Sequence, residues 1–123
     1  MRFLIVDPVR ASREWSARVL HAAGHSVISL QDGQQGLQAL AGGHYDCVLT
    51  DLAMPVVNGL EMIRRMRSAG DSTPVVVCAD EISDEARAAS QPLGITGFIA
   101  RPVAPEQLLG QLMAAATSVA AIA

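Results

Sequence analysis

Residues that could do chemistry together stand at the ends of short apolar runs. RFLIVD closes on Asp7, and DCVLTD closes on Asp51. TPVVVCA carries Cys78 and is followed by Asp80, and TGFIA is followed by Arg101 and Pro102. Two anions and one fixed cation suit a divalent metal ion and a phosphoryl group. Hard Mg²⁺ takes oxygen ligands and often uses only one or two carboxylates beside water and phosphate. Each residue alone has a plainer reading. Asp7 could be a turn or capping residue and Arg101 a surface charge; Asp80 either lends charge at the pocket rim or, the favoured reading, is a solvated loop residue. Asp51 precedes LAMPVVNG, a loop and not an immediate helix, so capping explains it less well. Pro8 follows Asp7, removes a backbone N–H and fixes φ at about -65°.

The elements needed to bring these residues together can be read from the pattern. Strands are expected over 2–7, 25–30, 46–51, 73–79 and 96–100, each rich in Val, Ile, Leu or Phe. Continuous apolar runs suit strands covered on both faces. Helices are expected over 9–23, 33–41, 58–69, 83–91 and 105–119. The first has Ala11, Trp15, Val19 and Ala22 at helical spacing and stops at Gly24. The second carries Leu37 and Leu40. Asn58 with Glu61 forms an N-cap and N3 pair. Ser83 is a cap candidate, with Asp84 and Glu85 at the positive helix end. Pro105 opens the fifth helix, which buries Leu108, Leu109, Leu112 and Met113. Strand and helix thus alternate five times. That order predicts an α/β fold, a doubly wound five-stranded parallel sheet with helices on both faces. Its ligand site lies at the carboxyl ends of the strands, at a topological switch point. Asp7, Asp51, Cys78 and Arg101 converge there.

At 123 residues the chain is expected to be one domain, 1–123, and half its residues are hydrophobic, enough for a core. A net charge of -3 without a basic run argues against nucleic-acid binding. No stretch nears the ~20 apolar residues of a membrane span, so a cytoplasmic location is expected. Cys47 and Cys78 both sit in apolar runs and read as reduced core cysteines. His21 and His25 have Gly24 between them, which argues against a metal pair on one helix face.

The stretch DLAMPVVNGLEMIRRMR resembles the centre of a receiver domain of two-component response regulators. Asp51, Met54, Pro55 and Gly59 match that family in type and spacing, and LIVD, PVVVCA and GFIARP agree elsewhere. The resemblance covers essentially the whole chain and implies a flavodoxin-like (βα)5 fold. It implies that Asp51 takes a phosphoryl group from a histidine kinase or a phosphotransfer protein. It implies that Asp7, Asp51 and the backbone carbonyl of Ala53 hold Mg²⁺. Cys78 falls where a hydroxyl usually contacts the phosphoryl oxygen, Arg101 where a Lys usually pairs with it, and Phe98 at the aromatic switch. Pro8 replaces the second acidic residue. The thiol of Cys78 is a weaker donor than a hydroxyl, and a guanidinium is not a compact ammonium. The acidic pocket is therefore atypical, with a weakened Mg²⁺ site expected.

Output is expected at the face of the fourth helix, fifth strand and fifth helix. Past Glu106 the last helix has no charge, and its outward side carries Gln107, Gly110, Gln111, Ala114 and Ser118. That suits a homodimer or effector contact. Trp15 reads as core, or as lying near a kinase-docking side. The alternative function is a pseudo-receiver that binds partners without phosphorylation, which Pro8 supports. Catalysis is expected to be limited to the chain's own phosphorylation and dephosphorylation. The loop DPVRAS lacks the Gly/Ser/Thr-rich cradle of an FMN site. It also lacks the second Asp of an Asp-based phosphohydrolase.

Overall fold

Strand β1 (Arg2–Val6) sends alternate side chains to opposite faces, and both faces are buried. Phe3 and Ile5 enter one core cluster, and Leu4 and Val6 enter the other. This is why the run is continuously apolar and not alternating. The computed structural model describes residues 1–122, with side chains through Thr117. The remaining elements are α1 (Arg10–Ala22), β2 (Ser26–Leu30), α2 (Gly33–Gly42), β3 (Cys47–Thr50), α3 (Gly59–Ser68), β4 (Val75–Ala79), α4 (Asp84–Ser90), β5 (Gly97–Ala100) and α5 (Pro105–Ile122). A 3-10 turn, Gln91–Leu93, follows α4. The five strands are parallel in the order β2-β1-β3-β4-β5.

The sheet divides the core in two. On one side Leu20 of α1 and Leu108, Leu112 and Ala115 of α5 pack on Phe3, Ile5 and Leu49. On the other, Met62, Ile63 and Met66 of α3 pack on Leu4, Val48 and Val77. Each fully buried side chain of this size contributes about 1.5–3 kcal/mol.

Two expectations about packing need correction. β2 is not covered on both faces: it is an edge strand with Ser26, Ile28 and Ser29 exposed. The inward face of α1 is turned toward Ser16 and Leu20, while Ala11 and Ala22 are exposed and Trp15 and Val19 pack at the flank. The N-cap and N3 pair at the start of α3 is as expected, Asn58 at the N-cap and Glu61 at N3. The Glu61 carboxylate pairs with Arg64 and Arg65, while Asn58 Oδ1 accepts the Glu61 N–H at 2.9 Å. In α5, Leu108 and Leu112 are buried as expected, whereas Leu109 and Met113 are only half-buried at the edge of the same cluster. Gln107, Gly110 and Ala114 face outward, Gln111 is half-buried, and Ser118 lies outside the described side chains. α5 continues beyond residue 119 to Ile122.

Candidate functional site

Asp7 is the first residue past β1. Its N–H donates to the Leu30 carbonyl at 3.0 Å, which fixes the strand end against β2. Its Oδ1 accepts the N–H of Val9 at 2.8 Å, an Asx turn around Pro8. Pro8 has no N–H to compete and a fixed φ, so it suits the middle of this turn. Arg13 of α1 donates Nη1 to the Asp7 carbonyl at 2.7 Å. Asp7 is thus a turn residue and a site residue at once, and its side chain is 6% exposed.

Asp51 follows β3, with its N–H donated to the Val6 carbonyl at 3.0 Å. Its Oδ1 accepts the N–H of Leu52 at 2.7 Å and of Ala53 at 3.3 Å. The loop then folds back so that Gly59 N–H donates to the Leu52 carbonyl at 2.9 Å. A Cβ at Gly59 would collide with the Asp51 carbonyl oxygen, so only glycine admits this approach. Within the loop Val56 has φ +67° and is 76% exposed.

Arg101 follows β5, with its N–H on the Ala79 carbonyl at 2.9 Å and a cis peptide to Pro102. Its guanidinium is forked. Nη2 donates to Asp7 Oδ2 at 3.3 Å and to Asp51 Oδ2 at 3.1 Å, while Nη1 donates to Asp80 Oδ1 at 3.3 Å. All three contacts exceed the usual ~2.7–2.9 Å of such charged pairs. Burial opposes the Arg101 charge, but Cys78, Asp51 and Asp7 together hold its pKa above the ordinary value. Asp80 is both a solvated loop residue and an ion-pair partner, with its side chain 89% exposed. Its tie to Arg101 was not legible, because it joins the ends of two strands 21 residues apart.

The sheet therefore gathers Asp7, Asp51, Cys78, Asp80 and Arg101 at the carboxyl ends of β1, β3, β4 and β5. Cys78 is buried, and burial raises its thiol pKa, with Arg101 opposing. Arg101, Cys78, Trp15, Ser16 and Pro102 line a cavity of about 370 Å³ beside α1. Ala53 is exposed on the loop. Phe98 stands apart from the carboxylates, half-buried on β5 with Arg87 of α4 stacked 4.8 Å from its ring centre. Among the described residues no three His, Cys, Asp or Glu side chains group as a metal site. The donor chemistry that is present fits Mg²⁺ as a two-carboxylate set. Asp7 and Asp51 each turn one oxygen to the same nitrogen, so a cation is shared between them.

The sequence matches the family described as response regulator receiver domain over residues 3–113. It is 38% identical over 122 residues to the sensory/regulatory protein RpfC of Xanthomonas campestris pv. campestris, covering 96% of this chain and 17% of that protein. It is 38% identical over 114 residues to the response regulator MprA of Mycolicibacterium vanbaalenii, covering 93% of this chain and 49% of that protein. The chain thus spans about half, or less, of these curated relatives. Among solved structures, the chemotaxis protein CheY4 of Vibrio cholerae superimposes with a TM-score of 0.85 at 30% identity, covering 93% of this chain and 97% of that one. A CheY-like receiver domain from Methanospirillum hungatei gives a TM-score of 0.93 at 21% identity, covering 99% and 98%, which speaks for the fold. Among the described residues no helix is long and apolar enough to cross a membrane. Receiver domains are signalling modules and not enzymes in the ordinary sense; phosphorylation on an aspartate is their general property, and they generally bind Mg²⁺ at an acidic pocket. With the match running through nearly all of the sheet and its strand-end carboxylates, this chain belongs to the receiver domains of two-component response regulators.

Proposed function

We propose that Asp51 is the phosphoacceptor of this receiver and that residues 1–123 act as one receiver domain. The observation that carries this reading is a buried carboxylate at the sheet's switch point, held by two loop N–H groups and facing a fixed cation. Phosphoryl transfer needs positioning and charge neutralisation more than covalent machinery. An oxygen of Asp51 bonds to phosphorus as the P–N bond of a donor phosphohistidine breaks, and the leaving imidazole takes a proton. The donor is a histidine kinase or a phosphotransfer protein. Asp7, Asp51 and the Ala53 carbonyl are the residues that would hold Mg²⁺, which neutralises phosphoryl charge when bound. Arg101 offers a permanent cation to the equatorial oxygens. Cys78 lies beside them as a weak donor. Output then passes through Phe98 to the face of α4, β5 and α5, where a second copy or an effector docks. The setting is cytoplasmic.

A small phosphodonor with Mg²⁺ is expected to add one phosphoryl group, detected by intact mass, and Asp51→Asn removes the signal. No mass change under saturating donor would overturn the reading. A second reading is phosphorylation-independent binding. It is favoured by Pro8 and by the ion pairs that already neutralise the carboxylates. Partner binding unchanged by Asp51→Asn would support it.

A further inference from the structure

β2 leaves one edge of the sheet open. Ser26 N–H donates to the Met1 carbonyl at 3.0 Å, and the Leu30 carbonyl accepts the Asp7 N–H at 3.0 Å. Backbone groups alternate in direction along a ladder, so Ser26, Ile28 and Leu30 point to β1. Val27 and Ser29 therefore turn their N–H and C=O groups outward. Among the described residues no strand lies beyond them. The N–H groups on either flank are engaged: His25 N–H donates to the Leu20 carbonyl at 3.1 Å, and Gln31 N–H to Gln35 Oε1 at 3.5 Å. Natural edges are guarded by a charge, a proline or a bulge. SVISL has no charge and no proline, and its register with β1 runs one to one. Ile28 is 39% exposed on this strand.

We propose that β2 pairs with β2 of a second copy of this chain, antiparallel about a two-fold axis at Ile28. This register sets Val27 against Ser29 of the copy and Ser29 against its Val27. The outward N–H and C=O groups of both residues are then satisfied on both chains. A slip of two residues would need His25 or Gln31, whose N–H groups are taken. Ile28 meets its own copy across the axis at a non-hydrogen-bonded position, where side chains come closest. Leu30 continues the apolar row on the same face, which belongs to the α2 and α3 side of the core. The ends of the strand also match. Antiparallel order sets His25 of one chain beside Gln31 and Asp32 of the other, whereas parallel order would set Asp32 beside Asp32. Five residues cover well under the ~1,200 Å² of a standard interface, so the pair is weak and forms with concentration. β5 is the opposite edge of the sheet, so the pair leaves the face of α4, β5 and α5 free and needs no phosphorylation.

The test is sedimentation of the whole chain from roughly 10 μM to 1 mM, with amide hydrogen exchange on the same samples. The parent is expected to pass from monomer to dimer over that range, with exchange slowed at Val27 and Ser29. Ser29→Pro removes only an outward N–H, and Ile28→Lys restores a guard at the axis. Each is expected to weaken the dimer at least about tenfold, because the two-fold makes every change twice. Beryllofluoride with Mg²⁺ is expected to leave it unchanged. A chain that stays monomeric to the highest concentration overturns the proposal. So does a dimer that keeps its parental affinity in both variants, or one that forms only with beryllofluoride, since either places the self-contact on another face. A monomer whose Val27 and Ser29 amides slow only with an added Val- and Ile-rich peptide gives the edge to another strand and overturns self-pairing too. Should Ser29→Pro fail to fold, Ile28→Lys and the amide exchange decide.

Discussion

Pro8 has a local reason to be where it is. It sits in the middle of the Asx turn that fixes Asp7 Oδ1, and its missing N–H costs that turn nothing. Pro8→Asp should therefore keep the turn while returning a carboxylate beside the pocket. A second charge about 4 Å away is worth roughly 4 kcal/mol at an effective dielectric near 20. Mg²⁺ affinity is expected to rise by at least about tenfold, measured by calorimetry; no gain would show that the side chain at this position does not reach the metal. The cysteines make a prediction about pH. Burial pushes the Cys47 thiol up to about 12 from an ordinary 9.0. The unfolded chain then ionises first, so Cys47 favours the fold fully below pH 9. That contribution is lost as pH rises toward 12, at a cost of about 4 kcal/mol. Urea unfolding at stepped alkaline pH should show the fall, and Cys47→Ala should flatten it. At this scale the sequence was informative about identity and less so about partners. Asp7, Asp51 and Arg101 were visible as strand-end charges. The Val9 N–H on Asp7, the Arg13 contact to its carbonyl and the Asp80 tie depend on turn geometry and on strand neighbours far apart in the chain.

Among the elements, the loop from β3 to α3 is the most constrained. Val56 is β-branched and left-handed, with φ +67°, in a conformation that costs on the order of 1–3 kcal/mol outside glycine. It is also exposed, so little packing offsets the strain. Val56→Gly is expected to stabilise the chain by about 1 kcal/mol after glycine's own entropy is counted, read as a higher urea midpoint with unchanged slope. Gly59→Ala should do the reverse and lose about 1–3 kcal/mol, because its Cβ would press on the Asp51 carbonyl. Helix starts were well signalled: Asn58 and Ser83 both accept the N3 N–H, as their residue types suggested. The faces were harder. The α1 stripe of Ala11, Trp15, Val19 and Ala22 has the right period, but the sheet selects Leu20 and Ser16 as its inward line. For β2, Val27 and Leu30 suggested a covered strand, yet strand order leaves it at an edge. Propensity sets the kind of element, and neighbours in space set which side is buried.

On the scale of the molecule, a single guanidinium gathers charges from the ends of β1, β3 and β4 onto the end of β5. A change of charge at Asp51 is therefore felt first by Arg101, three residues from Phe98. Phe98 lies against the α3 side of the core, under the Arg87 guanidinium of α4. On the proposed reading, the ring must leave Arg87 in order to move, and that cation–π contact is worth about 0.5–1 kcal/mol at a partly exposed site. Arg87→Ala should raise the moved population roughly two- to fivefold, since each ~1.4 kcal/mol is tenfold. Ring-resolved NMR of labelled Phe98, with and without beryllofluoride and Mg²⁺, measures both states. Hydrogen exchange on the same samples should change in α4 and β5 and not at α2, which packs on the same face beside β1, away from β5. An Arg87→Ala protein with parental ring populations in both conditions would remove Arg87 from the switch. Unchanged exchange in α4 and β5 on beryllofluoride binding would remove that face from the output path, because the charge at Asp51 would then have no mechanical route past Arg101.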